Sequence, residues 1–83
     1  MIEKKEQLLG DFRNKAQAFF DNPNLLTGID LDDAAVTLKR YVLSMMHDEE
    51  LGSILARFQK PIRALDTAAL RELVAQVEQR IGD

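Results

Sequence analysis

The stretch from Ala34 to Met46 limits the possible folds of this chain more than any other, because it is apolar on two sides at once. Plotted at about 100° per residue, Leu31, Ala34, Ala35, Leu38, Tyr41, Val42, Met45 and Met46 make one broad arc. Val36 and Leu43 fall on a second strip, with Lys39 between the two. A surface helix needs one arc only. A helix with a second strip is either central in its fold or offers that strip to a partner. Val36 and Leu43 are therefore the interface candidates, with Tyr41, Met45 and Met46 at the margin. Methionine repacks easily against irregular surfaces, which suits an adaptable contact.

The remaining apolar residues fall into three further helical segments. Leu8, Leu9, Phe12, Ala16, Phe19 and Phe20 recur at helical spacing and predict a first helix. It stops near Asp21-Asn22, because Pro23 disfavours helical geometry in the residue before it. Residues Asn22 to Ile29 read as a connection with one short turn starting at Pro23. Its Leu25, Leu26 and Ile29 are expected to plug one end of the core. Asp30 is the expected N-cap of the second helix, with Asp32 and Asp33 set favourably against its dipole. That helix is expected to run to Met46 or His47.

Asp48 then caps a third helix carrying Leu51, Ile54, Leu55 and Phe58. Pro61 should kink or break it, although Ile62 and Leu65 continue the phase of its apolar stripe. Asp66 or Thr67 caps the last helix, whose face is Leu70, Leu73, Val74, Val77 and Ile81, and Gly82 ends it. No strand-like alternation, repeat or linker appears. The expected fold is all-α: residues 1–83 as a single domain, a small antiparallel four-helix bundle with its third helix kinked or broken near Pro61.

A chain of 83 residues has little room for a core, and other small domains add disulfides or structural metals. Neither is open here. The sequence has no Cys and one His, so disulfides, thiolate zinc sites and imidazole-rich metal sites are excluded. Helix packing and oligomerisation are left. No apolar run approaches the ~20 residues of a membrane span. The start, Met1 to Gln7, shows no apolar signal region. No membrane association is expected, and the cytoplasm is the compartment reached by elimination.

Few residue clusters point to chemistry. Asp30-Leu31-Asp32-Asp33 has the look of a calcium loop, but that loop needs Gly at its sixth position and Glu at its twelfth, where this chain has Ala35 and Tyr41. His47-Asp48-Glu49-Glu50 sets an imidazole beside three carboxylates, which reads as a helix end followed by a capping Asp and an acidic first turn. Ser and Thr lack local partners that would activate them. The glycines are scattered and make no phosphate loop. No cofactor or metal is expected.

The net charge of −3 gives no general attraction to nucleic acid. Arg57, Lys60, Arg63 and Arg71 nevertheless form a basic run with only Asp66 between them among the acids. Three function classes follow. The leading expectation is a non-enzymatic protein that binds another protein or itself as a homodimer. The second is nucleic-acid binding or transcriptional regulation through the phosphate contacts of that basic run. The third is a helical enzyme in which Arg40, Arg57 and Arg63 with Glu50 orient an anionic substrate.

Overall fold

A computed structural model describes residues 4–81. Five helices follow in order: α1 Lys4–Asp21, α2 Leu25–Ser44, α3 Glu49–Ala56, α4 Gln59–Arg63 and α5 Thr67–Ile81. The chain is a small all-α bundle, with no strand among the described residues. Helix α4 is the short piece left by the break at Pro61, so four longer helices carry the architecture. Gly82, the expected terminator of the last helix, lies outside the described residues.

Helix α2 is the centre of the bundle: α1, α3 and α4 all pack against it, while α5 packs on α3 and α4. Its broad arc supplies the fully buried Leu31, Leu38 and Val42. Helix α1 meets them with Phe12 and Phe19, and α5 closes the core with Leu70 and Val77. Phe58, in the turn between α3 and α4, meets Phe12 edge to face, with ring centroids 5.5 Å apart. Such a pair contributes about 0.5–1.5 kcal/mol beyond its burial. Helix α2 is thus central in the fold, and its second strip is only partly covered there.

Three expectations change. Helix α2 starts at Leu25, five residues before Asp30. Its N-cap is Asn24, whose side chain accepts the Leu26 and Thr27 backbone N–H groups at 2.9 and 3.0 Å. The Thr27 hydroxyl accepts the Asn24 N–H at 3.1 Å in return, which completes a capping box. Thr27 stands where such boxes usually carry Glu or Gln, and this hid the signal. Asp30 is inside the helix. At its other end α2 stops at Ser44, with Met45 as C-cap, slightly short of the expected Met46 or His47.

The second change follows from the first. Leu25, Leu26 and Ile29 do not plug the core: once α2 includes them, helical phase turns them outward, and they are 74%, 74% and 48% exposed. Gly28 faces inward instead, and its missing side chain lets α4 approach. A methyl group there would lie 3.1 Å from Ile62 Cγ2.

The break near Pro61 is as expected, and its place is set by backbone chemistry. Proline has no N–H to give to the Arg57 carbonyl, and its ring crowds that same carbonyl. The chain therefore leaves the α-helix at Arg57-Phe58, where Arg57 and Phe58 donate to Ile54 and Leu55 in a tighter turn. Phe58 and Ile62 keep the apolar phase and are buried. Leu65 does not, which is the third change: it is 46% exposed, in the left-handed region at φ 52°. It holds the C′ position of a Schellman turn, in which Asp66 donates to Pro61 and Leu65 to Ile62.

Candidate interaction surface

Restoring the first turn of α2 lengthens its second strip. Leu25, Ile29, Asp32, Val36, Lys39 and Leu43 alternate in steps of four and three along the helix, the spacing of a coiled-coil seam. The strip runs along the edge where α3 and α4 meet α2. Val36 is half-buried in a recess of about 90 Å³ with Asp32, Lys39, Leu55, Ala56 and Gln59. Leu43 lies over α3 at Gly52 and keeps 41% of its surface exposed. A side chain at Gly52 would collide with it, with a Cβ only 2.5 Å from Leu43 Cδ2.

At the other end, Leu25 and Ile29 open into a groove of about 340 Å³ between α2 and α4. Ile62 and Leu65 form its opposite wall, and Asp32 and Arg63 stand on it with opposite charges. Leu25, Ile29 and Leu65 make an exposed apolar patch along this groove, with Leu26 exposed beside Leu25 on the same turn. The sequence reading missed this patch because it placed three of these residues in a loop. The Asn24-to-Thr27 spacing was the signal that would have found it.

The marginal candidates divide. Tyr41 and Met46 are partly buried and pack against the core. Met45, at the C-cap, is 67% exposed but belongs to the arc opposite the strip. The basic run does not form one ridge. Arg57 and Lys60 line a groove between α4 and α5 together with Asp66 and Glu72. Arg63 stands at the α2–α4 groove, and Arg71 stacks over the Phe20 ring at 4.5 Å from its centroid, a cation–π contact between α5 and α1. Nor do the residues considered for catalysis converge: Arg57, Arg63 and Glu50 line three different grooves.

The acidic point after α2 has a structural role. Asp48 caps α3 by accepting the Leu51 N–H at 3.1 Å, and its carboxylate also receives Arg80 at 2.9 Å. Arg80 reaches Glu50 at 3.0 Å as well. The hydrogen bonds from Arg80, then the one from Leu51, hold the Asp48 carboxyl below the usual carboxylate range. Arg13 does the same for Glu78 across α1 and α5, with a two-pronged contact at 2.6 Å. His47 adopts the left-handed conformation at φ 53° between α2 and α3. No cluster of His, Asp and Glu suited to a metal ion occurs among the described residues, and no described helix is long and apolar enough to cross a membrane. In comparisons with known proteins, the chain matches no family model, no curated protein and no solved structure.

Proposed function

We propose that this chain is a non-enzymatic helical protein that acts in the cytoplasm by binding another protein, with a homodimer among its forms. The observation that supports this most is the outward strip of α2, from Leu25 to Leu43. It stays half-open along its length although α2 is the central helix. A helix already covered by α1, α3 and α4 has no folding need for Leu25, Leu26 and Ile29 at the surface. An apolar row one residue wide, Ile29, Val36 and Leu43 at seven-residue intervals with charges beside it, is a pattern by which one helix can seat on another. The basic residues, divided among separate grooves with acids between them, offer no continuous track for a phosphate backbone, so the protein-binding reading is preferred.

The test is Val36→Asp/Leu43→Asp, with circular dichroism for folding and sedimentation for assembly, beside capture of bound proteins from the native cell lysate. Both side chains are partly open to solvent, so the carboxylates are tolerated in the free protein but not in a sealed contact, where each would be buried without a counter-ion. The expected result is a helical variant that has lost its assembly or its captured partner. Unchanged folding, assembly and capture would refute the reading.

A further inference from the structure

Resting on the protein-binding reading of the α2 strip, we infer that its occupant is a second copy of this chain, with the two α2 helices antiparallel and crossing at Val36. Charge complementarity along α2 selects this occupant. Asp32 and Asp33 precede Val36 by four and three residues, and Lys39 and Arg40 follow it by three and four. Ile29 and Leu43 stand seven residues to either side. From Ile29 to Leu43 the strip therefore turns into its own complement, acid for base and apolar for apolar, when it is reversed about Val36.

Helix geometry assigns the pairs. Asp32 and Lys39 share the flank beside α3 and α4, where both line the Val36 recess. At about 100° per residue, Asp33 and Arg40 fall on the opposite flank, and both are exposed. A two-fold axis between antiparallel helices sets each flank against the same flank of the other copy. Asp32 then meets Lys39 of the second copy, Asp33 meets its Arg40, Ile29 meets its Leu43, and Val36 meets Val36. A parallel pair would set each flank against the opposite one, Asp32 against Asp33 and Lys39 against Arg40 of the second copy, so like-charge repulsion selects the antiparallel arrangement. None of these four charged residues takes part in an ion pair among the described residues.

The sequence contains no Cys, so single Cys variants report register cleanly. With helix axes ~8–10 Å apart, facing Cα atoms approach to about 5 Å, within disulfide reach. Under mild oxidation Val36→Cys is expected to link to itself. Ile29→Cys and Leu43→Cys are each expected to stay unlinked alone and to form the mixed dimer when combined. Ala75→Cys, on exposed α5 surface, controls for chance collision. By sedimentation equilibrium at low salt, the wild type is expected to dimerise. Asp32→Lys/Asp33→Lys is expected to weaken the dimer at least about 10-fold, and adding Lys39→Asp/Arg40→Asp to restore it.

Self-linking of Ile29→Cys and of Leu43→Cys, or a charge swap that fails to restore association, would overturn the antiparallel pairing. A wild type that stays monomeric to about 1 mM, weaker than most specific contacts, would overturn the second copy as occupant. If Val36→Asp/Leu43→Asp still lost a captured protein in that case, the broader reading would stand without the dimer. A dimer indifferent to Val36→Asp/Leu43→Asp would overturn both.

Discussion

At the scale of single residues, the start of α2 decides how the whole surface is read. Asp30 has the chemistry of an N-cap and stands just before a clear apolar run, yet the helix begins at Asn24. Two competing caps close together in sequence cannot be ranked by residue type, because Asn and Asp are about equally good. What selects Asn24 is cooperation: Thr27 answers its backbone N–H, and the Thr27 hydroxyl also donates to the Asn22 carbonyl at 2.9 Å. Asn24→Ala is therefore expected to cost about 1 kcal/mol in urea unfolding, against less than about 0.5 kcal/mol for Asp30→Ala. The reverse order would place the working cap at Asp30. The left-handed conformation of Leu65 was invisible in sequence for a related reason, since the C′ position ordinarily takes Gly.

At the scale of helices, apolar periodicity was a good guide and end chemistry a partial one. The stripes of α1, α3 and α5 appear as read, with Phe12, Phe19, Leu51, Leu70 and Val77 fully buried. The arc of α2 does as well. Asp48 and Asp66 cap α3 and α5, each through a 3.1 Å bond to a backbone N–H in the first turn. What periodicity could not show is which helices would be tied together by ion pairs, since those depend on bundle geometry. Arg80 joins the end of α5 to the start of α3, and Arg13 joins α1 to α5.

These ties make stability depend on pH with a definite sign. The Asp48 and Glu78 carboxyls are held below their ordinary values in the folded chain, Asp48 by Arg80 and Leu51 and Glu78 by Arg13. Their contribution is thus fully present above the unfolded carboxylate range and is lost as pH falls through the depressed folded values. Thermal denaturation between pH 7 and pH 2 is expected to show a fall in Tm confined to the acid limb. Arg13→Ala/Arg80→Ala should flatten that limb relative to wild type. An equally steep limb in the variant would assign the acid sensitivity to other carboxylates.

At the scale of the whole molecule, one helix serves two surfaces. The inward arc of α2 organises the core, and its second strip is only half-covered along the edge of α3 and α4. The sequence showed the doubling at Val36 and Leu43 but only half its extent, because Leu25 and Ile29 were assigned to a connection. The basic run separated for the mirror reason: residues adjacent in sequence were dispersed by the break at Arg57-Phe58 and by the turn into α5. Burying that strip is the central claim. The most direct measurement is backbone amide NMR of the wild-type protein, recorded through a concentration series and again with any captured partner. Shift changes are expected to concentrate on Leu25, Ile29, Asp32, Val36, Lys39 and Leu43, with the α5 face from Arg71 to Ala75 unmoved. Changes centred on the α4–α5 groove at Arg57 and Lys60, with the α2 strip silent, would contradict it.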